Sequence, residues 1–444
     1  MDMVRAVPAM RRDPLAFLAR MVARHGDLVA FPMPRGAVLL VNDPDGARRV
    51  LADNHRAYGK ATLQYASLAA VTGSGLLTSD GPTWRRHRRI LQPPFHHAGL
   101  QVFADHAQQA GERLRGRWDA APDHVLDADR AIMRTMLELV GTTLFDADLA
   151  TNATGGEHIV TAVDTALALL VRRASSPVPA SWPTPGRRRL NRAVAVLDAA
   201  CADVVRARRD RGLADDDPDL LSHLLRAELT ATEVRDELIT LVIAGYETVA
   251  SCLTWTLHLL AGHARVQERV AAELDDVLGT GSAARPAGWE HLPKLRLTRA
   301  VVDESLRLYP PAWVITRRAL EDDVVAGIAV PAGTVVILSP WLLHRRPDAW
   351  PSPWRFDPDR FLDRSDSGPR GDYLPFGAGP RLCIGREVAL VEAVLTLATV
   401  LRGRRVEHPH APRERAQRPV RVDALVTLRP HGGLPLRLVP PPSP

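Results

Sequence analysis

The chain has almost no lysine: of its 57 basic residues only Lys60 and Lys294 are lysines, the rest being arginine. With 36 prolines and 30 glycines in 444 residues, that skew reads as GC-rich codon usage, as in a high-GC bacterium, rather than as a functional basic tract. Net charge is +6, a modest excess that no single block carries, which argues against nucleic acid and for a local basic docking face. Cysteine is scarce too. Cys201, Cys252 and Cys383 lie far apart, so neither a disulfide framework nor a CxxC zinc site is available, and a cytoplasmic location is expected. The N-terminal stretch has charges throughout its apolar run and no small-residue cleavage site, so no signal peptide or membrane anchor is read there. A Rossmann glycine fingerprint, a Walker loop, a GxSxG elbow and an HExxH pair are also missing, which removes several common enzyme classes.

Apolar residues make up 46% of the chain and charged residues 24%, enough to build a packed core. The length allows several domains, but without repeats or a clear linker the economical reading is one domain over 1–444. Short β-rich runs at 28–31 and 37–41 precede a helix at 44–52. Helical patterns then dominate at 98–120, 131–145, 158–173 and 190–211. A Pro- and Ser-rich segment, 175–188, reads as a surface connection. Beyond it, 238–261 is long and apolar enough to cross a bilayer, yet its single charge, Glu247, sits in the middle. A central carboxylate is costly in lipid, so a buried core helix with a functional break is preferred, with no membrane span. A helix over 292–308, strand-like runs at 324–330 and 334–338, a Pro-rich stretch, a helix after Cys383 and a hairpin-like end complete a mostly α fold with a smaller β region.

The strongest chemical signal is Phe376-Gly377-Ala378-Gly379-Pro380-Arg381-Leu382-Cys383-Ile384-Gly385, followed by an apolar helical run. Glycines on both sides let the backbone turn tightly and approach a flat ligand, while the helix start favours a thiolate over a thiol. The bland alternative is an inert buried cysteine. In the apolar helix, Ala244-Gly245-Tyr246-Glu247-Thr248 places an acid beside a hydroxyl where water is scarce, with Gly245 leaving room for a small ligand. Glu304 and Arg307, three apart, can pair on one helix face. Trp84 and Arg88 share a face within Trp84-Arg85-Arg86-His87-Arg88-Arg89, a segment suited either to carboxylate binding or to touching an acidic partner or nucleic acid.

Taken in order, these segments resemble the cytochrome P-450 superfamily. Phe376, Gly377, Gly379, Arg381, Cys383 and Gly385 match its haem-binding signature, Glu247 and Thr248 its acid-alcohol pair, and Glu304 and Arg307 its ExxR. Arg360, in Phe356-Asp357-Pro358-Asp359-Arg360-Phe361, matches the arginine that joins that pair. The resemblance implies a cytochrome P-450 fold binding haem b, iron protoporphyrin IX, with Cys383 as the iron ligand. Trp84, Arg88, Arg317 (or its neighbour Arg318) and Arg381 would meet the propionates, and Phe376, Gly377 and Gly385 would shape the cofactor bed. Thr248 and Glu247 would be catalytic, delivering protons. His344 is expected to be structural. The implied enzyme is a monooxygenase using O2 to hydroxylate or otherwise oxidise a hydrophobic small molecule, a bacterial secondary metabolite. Its electrons would come from a ferredoxin and an NAD(P)H-dependent ferredoxin reductase, docking near Arg85, Arg86 and Arg89, and the chain would act as a monomer. Oxidative coupling or cyclisation by the same oxidant, a peroxygenase and a non-catalytic haem sensor are the alternatives. Substrate contacts are expected within 61–77, 175–188 and 312–315, beside Ala244, and within 430–433.

Overall fold

The computed structural model describes residues 3–32, 37–95, 99–145, 156–174, 182, 184–213, 219–281, 285–362, 371–409 and 420–440. Among these, the helices in chain order are α1 (Met3–Arg12), α2 (Pro14–His25), α3 (Pro44–Arg48), α4 (Leu63–Thr72), α5 (Gly81–Leu91), α6 (Leu100–Asp119), α7 (Ala128–Phe145) and α8 (Gly156–Ala174). They continue with α9 (Pro185–Arg211), α10 (Leu220–Arg226), α11 (Ala231–Ala261), α12 (Ala264–Leu278), α13 (Arg296–Leu308), α14 (Pro340–Leu343) and α15 (Arg386–Leu401). The strands are β1 (Leu28–Pro32), β2 (Ala37–Val41), β3 (Tyr58–Gly59), β4 (Val125–Asp127), β5 (Ile315–Ala319), β6 (Asp323–Val325), β7 (Ile328–Val330), β8 (Val335–Leu338), β9 (Arg405–Glu407), β10 (Val422–Ala424), β11 (Leu428–Pro430) and β12 (Pro435–Val439).

Helix α11 is the axis of the core. Thr230 and Glu233 close a capping box at its start, with Glu233 N–H donating to Thr230 Oγ1 at 3.2 Å and Thr230 N–H donating to Glu233 Oε2 at 2.9 Å. The helix therefore begins a full turn or more before the apolar run read from sequence. Of its most apolar 18-residue stretch, 83% is buried inside the protein, which makes it a core helix and not a span. Around it pack α7, α9, α13 and α15, and the main hydrophobic cluster draws side chains from Tyr65 to Leu438.

The largest sheet has the order β1-β2-β8-β5-β3, with β2 and β8 parallel and the other pairs antiparallel. Its register sets Arg317 opposite Val336. The run at 324–330, expected as one strand, is instead the hairpin β6-β7. Ala326 and Gly327 turn it at φ 47° and 81°, the positive pair that a tight two-residue hairpin requires. The helix expected at 44–52 is α3 continued by a π-helical turn, Arg49–Asp53. The helix expected from 292 starts as α13 at Arg296, after a 3-10 segment, Trp289–Lys294. Of the proposed 175–188 connection, 175–181 and 183 lie outside the described residues. Pro185 to Arg188 belong to α9, whose N-cap Thr184 and first-turn proline explain the early start.

Helix α13 braces the Pro-rich stretch that leads to Cys383. Arg307 holds Glu304 with two hydrogen bonds, Nε to Oε2 at 2.6 Å and Nη2 to Oε1 at 2.8 Å, both side chains fully buried. Arg307 also donates to the carbonyls of His344 (2.8 Å), Pro353 (2.7 Å) and Arg355 (3.1 Å). Glu304 accepts from Asp357 N–H at 2.9 Å, while Arg360 stands further off, 3.6 Å from Glu304. His344 is buried and spans two segments. Its Nε2 accepts from Leu374 N–H at 2.8 Å, so Nδ1 is the protonated nitrogen and donates to the Arg307 carbonyl at 3.1 Å. Burial holds this imidazole well below the usual histidine range.

Removing Arg307 leaves Glu304 buried without its partner, so Arg307→Ala is expected to cost roughly 3–5 kcal/mol in a denaturant melt. Arg269→Ala, which breaks an exposed pair with Asp359, should cost less than about 1 kcal/mol in the same assay.

Candidate active site

The loop before α15 is folded around two left-handed glycines. Gly377 and Gly379 have φ 73° and 69°, and a Cβ on Gly379 would lie 2.1 Å from the Leu51 carbonyl oxygen, so only glycine fits there. Gly377 N–H donates to Leu374 O at 3.1 Å and Cys383 N–H to Phe376 O at 3.0 Å, closing the loop, while Phe376 packs against the main core. Gly385 is not forced by its backbone, since its φ is −92°. Its amide has a different use, as a hydrogen-bond donor to the Cys383 sulfur. Cys383 is exposed by area, yet enough protein surrounds it for burial to raise its thiol. A sulfur on the floor of a deep recess meets both descriptions. The Gly385 amide, Arg88 and Arg386 pull the thiol the other way, each favouring the charged sulfur.

Beside this loop four cations gather. Arg88 Nη1 donates to the Leu382 carbonyl at 3.0 Å, one residue before the cysteine. Arg381 pairs with Asp80, donates to Ser79 O at 3.2 Å and stacks 4.2 Å from the Trp84 ring. Arg317 is buried and donates to Tyr65 Oη at 2.8 Å. Lys60, also buried, donates from Nζ to Leu77 O at 2.7 Å and lies 5.0 Å over the same tyrosine ring. Burial, then the charges of Arg317, Arg381 and Arg88, drive the Lys60 ammonium well below its ordinary range, with Asp80 opposing. Four cations around one carboxylate call for further negative charge. A sulfur donor beside such a cluster fits a group carrying both a metal and carboxylates, as a haem does.

Strand alternation sends Arg317 and Arg318 to opposite faces of β5. Arg318 leaves the opposite face of β5 and spends its guanidinium on Ala61 O (2.6 Å) and Gly333 O (2.9 Å).

On α11, Ala244 is exposed and Thr248 partly so, within a helix otherwise almost wholly buried. Both therefore border an internal recess. Thr248 Oγ1 donates back to Ala244 O at 2.7 Å, which leaves its lone pairs to accept from the recess. Gly245 does not open space for a ligand: a Cβ there would lie 3.0 Å from Val140, so it serves the close packing of α11 on α7. Glu247 is buried, and its Oε1 accepts from Thr427 Oγ1 at 2.7 Å. Burial pushes its carboxyl up to about 7.

The structure thus gathers Trp84, Arg88, Arg317 and Arg381 near Cys383, and sets Glu247 against a C-terminal hairpin. Sequence reasoning placed Tyr65 only within the substrate-contact range 61–77, and it missed Lys60, Asp80 and Thr427. Only Lys60 had a signal, its rarity. Of the proposed docking arginines, Arg86 is engaged by Glu233 and the Glu228 carbonyl, whereas Arg85 and Arg89 are exposed.

A family model described as Cytochrome P450 matches residues 6–432. The chain is 37% identical over 404 residues to cyclooctat-9-en-7-ol 5-monooxygenase of Streptomyces melanosporofaciens, covering 88% of this chain and 85% of that protein. It is 34% identical over 401 residues to pentalenene oxygenase of Streptomyces avermitilis, covering 88% and 86%. The crystal structure of CYP175A1 from Thermus thermophilus superposes with a TM-score of 0.78 at 30% identity, covering 99% of each chain.

Because the Arg317 charge has no carboxylate partner among the described residues, Arg317→Leu is expected to speed haem transfer to apomyoglobin by roughly tenfold or more, the worth of one charge-assisted hydrogen bond. Arg318→Leu should leave that rate within a factor of two or so, because its guanidinium serves only backbone carbonyls on the other face.

Proposed function

Because this chain belongs to the cytochrome P450 family, we propose that Cys383 ligates the iron of a haem b whose propionates are met by Trp84, Arg88, Arg317, Arg381 and Lys60. The enzyme is a haem-dependent monooxygenase. The observation that carries the site assignment is the juxtaposition of Cys383, in its two-glycine loop, with a cation cluster short of negative charge. Bound haem supplies the O2 and one-electron chemistry, and a thiolate ligand pushes electron density toward the iron.

The chain's own residues then have distinct tasks. Arg88 fixes the loop through the Leu382 carbonyl, and the Gly385 amide steadies charge on sulfur. Phe376 and Gly377 shape the bed of the cofactor. Thr248 Oγ1, already donating to Ala244 O, accepts a hydrogen bond from a protonated group in the recess. Glu247 holds the next proton at a carboxyl titrating at about 7, a value suited to an acid that works near neutrality.

The two similar Streptomyces proteins have names that specify an unsaturated alcohol and an alkene, both weakly polar. The substrate proposed here is likewise a hydrocarbon-rich secondary metabolite, hydroxylated at a C–H bond beside Ala244. Electrons enter from a ferredoxin and its NAD(P)H-dependent reductase, with exposed Arg85 and Arg89 as the docking charges. The whole chain acts as one domain and as a monomer. Its three unpaired cysteines suit the cytoplasm.

The dithionite-reduced carbon monoxide complex should show the strongly red-shifted Soret band of thiolate ligation, and Cys383→Ser should lose it. An unshifted band in the unmodified enzyme defeats the assignment. Thr248→Ala should divert NAD(P)H from product to peroxide. Since Glu247 donates only while protonated, product per NAD(P)H should decline as pH rises through about 7, and Glu247→Gln should flatten that profile.

A further inference from the structure

Adjacent residues on an α-helix point about 100° apart, so Glu247 and Thr248 cannot share a face. Glu247 belongs instead to a stripe with Ser251 and Trp255, one and two turns on. All three meet the hairpin β10-β11: Glu247 accepts from Thr427 Oγ1 (2.7 Å), while Ser251 Oγ (2.7 Å) and Trp255 Nε1 (2.9 Å) donate to the Leu428 carbonyl. We propose that Thr427 is the positioning residue for Glu247, and that protons reach Glu247 through this hairpin, from the Asp164 side, not through the recess before Thr248. The proposal rests on the reading of Glu247 as the proton-delivering acid.

Behind Thr427 lies a buried polar cluster with one end in solvent. Arg429 bridges Asp129 on α7 (2.6 Å) and Asp164 on α8 (2.5 Å). The Asp129 side chain is 8% exposed and that of Asp164 is 41% exposed, so the chain of polar groups runs from surface to core. Arg429, Asp164 and Asp129 are the charged groups that act on Glu247 from the neighbouring elements, and Tyr246 joins them from α11 itself. Tyr246 Oη and Asp129 Oδ1 are buried with no hydrogen-bond partner among the described residues. Orphaned polar atoms beside charged groups are where ordered water resides. Such water completes the relay: Thr427 passes its hydroxyl proton to Glu247 Oε1 and takes one from the water behind it, and that water is reprotonated from solvent at the exposed Asp164 end. One proton moves inward and the hydroxyl is restored.

The test uses the holoenzyme with Thr427→Val, Thr427→Ser, Glu247→Gln and the Val-Gln double variant. Ser251 and Trp255 still anchor the hairpin backbone in each. Infrared difference spectroscopy follows the protonated-carboxyl band that Glu247→Gln removes. Its titration midpoint, expected at about 7, should move up by roughly one unit in Thr427→Val, because the lost donor favoured the charged form, and return in Thr427→Ser. Peroxide released per NAD(P)H should rise several-fold in Thr427→Val, recover in Thr427→Ser, and rise no further when Val is added to Gln. An unmoved midpoint, a Ser variant as impaired as Val, or an additive double variant overturns the proposal. If Glu247→Gln itself leaves coupling unchanged, the acid assignment falls with it. If Gln uncouples and Val does not, only the route through Thr427 is lost.

Discussion

A single buried guanidinium organises the half of the molecule that carries the cysteine. Arg307 neutralises Glu304 and takes up three carbonyls of a stretch that has almost no regular structure of its own. A Pro-rich segment cannot satisfy its backbone through ladders, so its polar groups need side-chain partners if it is to be buried. Glu304 adds the Asp357 amide and His344 the Leu374 amide, the latter two residues before Phe376. The position of Cys383 is thus inherited from a charge pair on α13, through a histidine that must stay neutral to accept that hydrogen bond. An ion pair in this place contributes definition of one loop geometry more than net stability.

The electrostatics around that loop are deliberately unbalanced. Several arginines elsewhere meet carboxylates: Arg49 meets Asp323, Arg235 meets Asp198 and Asp236, and Arg346 meets Asp27 and Asp348. Near Cys383, Asp80 pairs with Arg381 and acts on Lys60, and among the described residues no carboxylate pairs with Arg88 or Arg317. Burying like charges is costly unless a ligand neutralises them, so the cluster stores a preference for a polyanion. The cost is spread across α4 and α5, which pack into the main core, and β5, which packs into a second hydrophobic cluster.

Helix α11 separates two kinds of chemistry by its own periodicity. Its Ala244–Thr248 face borders the recess, whereas Glu247, Ser251 and Trp255 face the C-terminal hairpin. One helix therefore presents a hydroxyl acceptor to the recess while keeping a carboxyl in a polar cluster on another face.

Much of this was legible in the chain. The glycines about Cys383, the Glu304 and Arg307 spacing, the shared face of Trp84 and Arg88, and the apolar run around Glu247 are local patterns, and local sterics and helical periodicity alone give them meaning. They determined the family, the iron ligand expected and the mostly α fold. Tertiary structure decided what depends on partners far apart in sequence. It set Arg317 and not Arg318 in the cation cluster, because strand register fixes which face each side chain leaves. It turned Gly245 from ligand space into a packing contact with Val140, and it brought Lys60, Asp80 and Thr427 to a site that no motif containing them announces. Long-range juxtaposition has no local signature, since it arises only when separate elements bury their apolar faces together.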